Sequence, residues 1–443
     1  MEILEKAQEI LEKHPLCNRC LGRQFALLGH DLENQTRGEA IKLLLTMKAH
    51  EKILSNNRTG IATLKTLATN GAFPMATQIL QRQKISVGEA RPCYLCEEKT
   101  ANTSKLAEKS VKMLSNYEFS TFLVGIKLPV EIKEREDEFK AEFGLNLGED
   151  MRNDFSRVIG REISKLTGKA VEFNKPDISI LINPFNQQIT LQINPLYIAG
   201  KYKKLARGIP QSRWLCRECK GKGCEKCNWS GKTYAESVEE FVAAPTLEMT
   251  QGTAAEFHGA GREDVDARML GKGRPFIIEV KQPKKRFIDL KTLEKTVNKR
   301  AAGKVKVHEL QFADKNLIRH LKKGEAIEKM YRVTVEFGRK VSDDELKRLE
   351  KSLQGTLVRQ QTPQRVLHRR SDRIREKYIY EAKVKRLSPN RALLKVRCQG
   401  GLYIKELVTG DDGRTKPSVA EILGTKATPS QLDVLEVIER KQK

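Results

Sequence analysis

Residues 257–276, FHGAGREDVDARMLGKGRPF, gather side chains that could act on an anionic ligand. Three carboxylates, Glu263, Asp264 and Asp266, lie between Arg262 and Arg268, with Gly259, Gly261, Gly271 and Gly273 around them. Glycine lets the backbone turn and approach a neighbour closely. An arginine beside a carboxylate favours its charged form. The stretch could therefore place one anion, as a nucleophile or as a stabiliser of positive charge, beside a polyanionic ligand. A charged surface loop between strands would have the same composition, and spacing alone leaves both readings open.

Cysteine supplies the second chemistry. Eight of the nine cysteines form four Cys-x-x-Cys pairs, a pattern that reads as metal binding in a large chain kept reduced. Cys216, Cys219, Cys224 and Cys227 fall within CRECKGKGCEKC, where Gly221 and Gly223 relieve the turn. Tetrahedral zinc needs four thiolates, and each pair supplies two from one tight turn; an iron–sulfur cluster uses the same ligands. Cys17 and Cys20 lie far from Cys93 and Cys96. They could close a second tetrad or remain two separate pairs. Cys398, alone in a strand-like segment, reads as a buried apolar residue.

Basic side chains make up the third group. Lys201, Lys203, Lys204, Arg207 and Arg213 interleave with Tyr202 and Trp214, a pattern suited to phosphate contacts plus stacking or to a solvated strand edge. Arg365, Arg369 and Arg370 crowd the segment QTPQRVLHRRSDR and could grip phosphates or form a solvated turn. Over all 443 residues the net charge is +25, which points toward nucleic acid more than toward an anionic membrane. No apolar run approaches the about 18 residues of a membrane span. The first residues, MEILEKAQEILEKHP, form an amphipathic charged helix pattern and not a signal peptide, so a cytoplasmic protein is expected.

The elements that must position these groups follow from periodicity. The patterns predict a helical region with cysteines over 1–100, a helix-and-strand region over 101–214, a cysteine knuckle over 215–236 and alternating strands and helices over 237–443. The fold class is α+β, and the last region should carry a mixed, largely antiparallel sheet.

Gly261-Arg262-Glu263-Asp264 resembles the GRTD signature of pseudouridine synthases, whose aspartate is catalytic. The longer AGREDVDARMLGKGRPF closely resembles the THUMP-containing tRNA pseudouridine synthases of archaea and eukaryotes, which act on tRNA positions 54 and 55. That resemblance implies Asp264 as the nucleophile, with Asp266 the nearest competitor. In Lys329-Met330-Tyr331-Arg332 it implies a tyrosine, Tyr331, that stacks on the target uracil. RCQGGLYIKELVTGDDGRTKPSVAEILG is similar to a late synthase motif of the form GTYIRxL. By position Lys405 would pair with the catalytic aspartate and Leu407 would pack under the base. Lysine replaces the arginine of many synthases here, which keeps the charge and loses the bidentate fork. Arg262 would hold a phosphate or fill the space of a flipped base, a displacement costing a few kcal/mol. Arg268 and Tyr403 are further substrate contacts on this view.

The resemblance also implies a THUMP-type RNA-binding region before the knuckle. It pairs Cys17 and Cys20 with Cys93 and Cys96 in an N-terminal zinc site, and makes one or two zinc ions structural. No organic cofactor is implied, and tRNA is the partner. A THUMP-bearing methyltransferase should show a glycine-rich strand–turn–helix, and a thiouridine synthase a phosphate-binding loop. Gly271-Lys272-Gly273 lacks the helix that either would need. A non-catalytic zinc and tRNA-binding module would explain the charge and the cysteines and leave the three motifs without a purpose.

Overall fold

The computed structural model describes residues 3–29, 31–322 and 328–438; the side chains of Lys322 and Arg369 fall outside that description, so the phosphate contact expected of Arg369 does too. The chain forms two compact units, Met1–Asn194 and Pro195–Lys443.

In the first unit, α1 (Ile3–Lys13), α2 (Asn18–Gly22), α3 (Asn34–Leu54), α4 (Thr59–Thr69), α5 (Pro74–Arg82) and α6 (Thr103–Leu114) precede β1 (Thr121–Ile126). Next come α7 (Val130–Phe143), α8 (Met151–Thr167), β2 (Ala170–Val171), β3 (Ile178–Asn183) and β4 (Gln188–Ile193). The short α2 crosses α3 at closest range through glycines: a Cβ on Gly22 would stand 1.9 Å from the Asn34 carbonyl oxygen. The sheet runs β2-β1-β3-β4, parallel except for the β3–β4 hairpin that the turn residues near Asn186 predict. On β1 and β3 alternate residues face inward, as a half-buried strand requires. One core runs from Ala7 to Ile182, so the expected division at residue 100 does not separate two cores.

The second unit begins with β5 (Leu196–Lys204). It continues with α9 (Val238–Thr250), β6 (Ala254–Gly259), β7 (Arg268–Lys281), α10 (Leu290–Arg300), β8 (Val305–Ala313), α11 (Lys315–Lys322) and β9 (Glu328–Phe337). It ends with α12 (Asp343–Leu353), β10 (Thr356–Gln361), β11 (Ile374–Ser388), β12 (Arg391–Gln399), α13 (Ile404–Thr409), β13 (Thr415–Lys416), α14 (Val419–Leu423) and β14 (Ala427–Ile438). The sheet is ordered β13-β10-β11-β12-β9-β14-β7-β5-β8, with β6 on β7; among the described residues only β14 and β7 pair in parallel. That is the mixed, largely antiparallel sheet expected.

The sequence reading placed β5 in the RNA-binding region ending at residue 214. It pairs instead with β7 and β8. Ile198 and Tyr202 are fully buried in the second unit's core, so the boundary falls at 194/195. The glycines after Arg268 also differ from a flexible approach. They lie inside β7, where a Cβ on Gly271 would stand 1.8 Å from the Leu435 carbonyl oxygen and one on Gly273 2.8 Å from that of Tyr202. With φ of 58° and 81°, both accept a backbone that L side chains resist. No helix among the described residues is long and apolar enough to cross a membrane.

Candidate active site and metal centres

Asp264 lies on the loop between β6 and β7, in a pocket of about 360 Å³ that is also lined by Arg262, Tyr331, Arg365, Tyr403 and Lys405. The pocket thus joins residues that stand far apart in the chain. Two cations face the Asp264 carboxylate. Arg365 Nη2 lies 3.3 Å and Lys405 Nζ 3.4 Å from its Oδ2. Lys405 sits closer to Asp266, donating at 2.8 and 2.7 Å. Partial burial alone would raise the Asp266 pKa, but the hydrogen bond and charge of Lys405 outweigh it and hold the group below its usual range. Arg365, expected to grip phosphate, is a member of the site. Its Nε donates to the buried Glu406 at 2.6 Å, which aims the guanidinium toward Asp264.

The loop that carries Asp264 rests on a buried polar network that sequence reasoning missed. Glu263 is 6% exposed and accepts from the Tyr202 hydroxyl at 3.0 Å and from Arg274 Nε at 2.9 Å. Arg274 Nη1 donates to the Ala260 carbonyl at 2.7 Å, and Gln211 Nε2 to that of Gly261 at 2.9 Å. Lys204 Nζ donates to the carbonyls of Ile209, Asp264 and Val265 at 2.7, 3.0 and 3.1 Å. A buried charge is tolerated only when its donors and acceptors are matched. Here that matching holds the loop backbone, so that Glu263 points into the core and Asp264 into the pocket. The alternation over the last residues of β5 carried the signal: Tyr202 and Lys204 are inward while Lys201 and Lys203 are partly exposed.

Lys204 is therefore corrected. Fully buried, with its pKa brought down to about 8 chiefly by burial, it fastens the loop and touches no solvent. Tyr202, expected to stack on RNA, is buried too. Arg207 donates to the carbonyls of Asp266 and Leu432 and to Asp433. Arg268 forms a two-pronged pair with Asp433 at 2.9 and 3.0 Å and does not line the pocket. Arg332 joins them at 2.8 Å. Burial opposes the charge of Asp433, yet these guanidinium groups bring its pKa down to about 2. Leu407 is also corrected: it is fully buried in the core, and Leu402 and Ile404 line the pocket instead. Lys201 pairs with Glu309 at 2.5 Å, whereas Arg213 is exposed.

Arg262 lies 5.4 Å from the Trp214 ring centre, a cation–π distance. Tyr403 is half-buried at the start of α13. Arg370 donates to its hydroxyl at 3.1 Å and Arg365 lies over its ring.

Both cysteine tetrads are assembled, with their four sulfurs within 4.8 Å of one another. Four thiolates about 2.3 Å from one metal ion stand about 3.8 Å apart at the corners of a tetrahedron. Cys17 and Cys96 are 3.7 Å apart; Cys216 and Cys224, and Cys219 and Cys227, are 3.8 Å apart. Around the first tetrad the chain has buried cations. Lys42 Nζ donates to the Leu16 and Gly71 carbonyls and to Asn18 Oδ1. Arg23 is fully buried and paired with Glu136, while its Nε and Nη2 have no hydrogen-bond partner among the described residues. Metal-bound thiolates would supply negative charge there. Around the second tetrad, the amides of Gly223, Cys224 and Gly231 donate to sulfur at 3.2 to 3.3 Å.

Residues 197–438 match the family described as Pus10, C-terminal, and residues 106–183 the one described as Pus10 THUMP domain, archaeal. The chain is 43% identical over 446 residues to the tRNA pseudouridine synthase Pus10 of Methanocaldococcus jannaschii, covering 99% of this chain and 94% of that protein. The chain belongs to the Pus10 family. The Pus10 protein of Pyrococcus furiosus is 38% identical over 443 residues, covering 99% of this chain and all of that one. A crystal structure of a pseudouridylate synthase aligns at 15% identity with a TM-score of 0.20, over 69% of this chain and 88% of that chain. As a Pus10 protein the chain is a pseudouridine synthase, an isomerase.

Proposed function

We propose that this protein isomerises uridine to pseudouridine in the TΨC loop of tRNA, at position 54, position 55 or both, with Asp264 as the nucleophile. The observation that carries the reading is Asp264 itself, held by a buried network and turned into a pocket that also contains Tyr331, Arg365 and Lys405. The reaction breaks the C1′–N1 bond and joins C1′ to C5. A carboxylate at C1′ meets the positive charge that develops there, as bond-forming nucleophile or as electrostatic partner. Arg365 and Lys405 aim it. Tyr331 receives the flipped base, a stacking contact worth about 1–3 kcal/mol. Exposed Arg262, Arg213 and Arg370, with partly exposed Lys203, provide charge for tRNA phosphates. The all-sulfur tetrads suit zinc in a structural role.

Tritium release from a tRNA transcript labelled at C5 of its uridines tests the assignment, with carbodiimide primer extension locating the product. Asp264→Ala should lose on the order of 10⁴-fold or more, as removal of a nucleophile does elsewhere, and Asp266→Ala far less. An Asp264→Ala protein that keeps wild-type rates while Asp266→Ala does not would transfer the nucleophile to Asp266.

A further inference from the structure

Lys329 stands on β9 two positions before Tyr331, so the two side chains leave the same face of the sheet. Both line the pocket that holds Asp264. The Lys329 Nζ and Arg274 Nη1 lie 3.4 and 3.3 Å from where a Cβ on Gly261 would stand, so glycine at that position leaves room for the amine. The other pocket cations nearest Asp264 are committed: Lys405 to Asp266 and Arg365 to Glu406. Lys329 has no acceptor among the described residues. Its charged neighbours are Arg274 on β7 and Glu263 on the preceding loop. Cys398 of β12 is its cross-strand partner on one side, and the apolar Val437 of β14 on the other.

Burial, and then the charge of Arg274, brings the Lys329 pKa down to about 8, so a share of the amine is neutral near neutral pH. The alternatives on the same face are worse bases. Burial raises the Tyr331 hydroxyl well above the ordinary tyrosine range and pushes the Cys398 thiol up to about 12.

We propose that Lys329 is the base that removes the C5 proton of the rotated uracil. The inference rests on Asp264 acting at C1′. When C1′–N1 breaks, the bonding pair stays on N1. The C5=C6 pair then forms the C5–C1′ bond as the bond between C1′ and the Asp264 carboxylate breaks with its pair returning to oxygen, the N1 pair becomes N1=C6, and C5 carries both its proton and C1′. The neutral Lys329 amine takes that proton. The C5–H pair restores C5=C6, the N1=C6 pair returns to N1, and N1 gains a proton from the new ammonium or from water. Atoms and charge balance without a cofactor or co-reactant.

The test is single-turnover conversion of tRNA carrying protium or deuterium at C5 of its uridines, with wild type, Lys329→Arg, Lys329→Ala and Asp264→Ala, and tRNA affinity measured alongside. Arginine keeps the charge and reach but does not act as a base near neutral pH. Lys329→Arg should bind tRNA like wild type, slow by about 10²–10⁴-fold as loss of a general base does, and show a larger primary deuterium effect than wild type. Methylamine should speed Lys329→Ala. A Lys329→Arg protein at wild-type rate overturns the inference. So does slowing that is equal for protium and deuterium, without amine rescue, since that marks a structural role. Should Lys329→Ala not fold, Lys329→Arg decides. An inactive Asp264→Ala beside a fast Lys329→Arg removes only the base; an active Asp264→Ala removes the reading on which it rests.

Discussion

Cys17, Cys20, Cys93 and Cys96 are mostly buried in the core of the first unit, whereas Cys216, Cys219, Cys224 and Cys227 form a half-exposed knuckle whose ligands all lie within one short turn-rich segment. In the first, the paired sulfurs of Cys17 and Cys96 come from positions 79 apart. In the second, those of Cys216 and Cys224 are 8 apart. Closing a long loop restricts the unfolded chain more than closing a short one. Buried thiolates also need a metal and nearby cations to be tolerated. The ligand set is thus the same, but the first centre should hold a unit together, while the second should shape a surface. That surface adjoins Trp214, which lies over Arg262.

The strongest attempt to break this contrast is Cys96→Ser. A structural zinc contributes about 10–16 kcal/mol of apparent binding energy, comparable to a whole domain's stability of about 5–15 kcal/mol. The first unit should lose its protease resistance and the protein one bound metal. A Cys96→Ser protein with unchanged metal content and melting would end the claim that the buried centre is the main fastener.

Cys224→Ser should do less. Among the described residues the core clusters of the second unit contain none of these four cysteines, so its melting should shift little. The segment reaches the site through the Thr233 amide, which donates to the Trp214 carbonyl at 2.9 Å. We expect tRNA affinity to fall about tenfold, equivalent to about 1.4 kcal/mol, with the rate at saturating tRNA nearly kept. Collapse of the second unit on this substitution would equate the two centres.

Gly223→Ala sharpens the same contrast at the smallest scale. Gly223 has φ of 94°, and a Cβ there would stand 2.9 Å from the Trp229 carbonyl oxygen. The strain, about 1–3 kcal/mol, should speed chelator removal of this one metal and leave the release of the other unchanged, as two-phase release kinetics would show.

Much of the site was legible in the chain itself. GRED, KMYR and GLYIKEL marked Asp264, Tyr331, Tyr403 and Lys405, and the structure gathers them in one pocket. Arg365 was visible only as part of a basic run, because its role depends on Glu406 across a fold that brings together residues 101 positions from Asp264. Lys204 was misread because a run of lysines looks like one surface. The pleat divides that run into an outward and an inward row, and only burial shows which row is which.

By itself the sequence determined the elements, the α+β class, the knuckle ligands and the order of the motifs, since these depend on periodicity and short spacing. Tertiary structure decided that Cys17 and Cys20 meet Cys93 and Cys96, and that β5 joins the second unit's sheet. It also decided that Glu263 turns inward while Asp264, one residue later, faces the pocket. Those outcomes depend on which surfaces pack together and which charges find partners once water is gone, and such long-range pairings leave no local pattern in the chain.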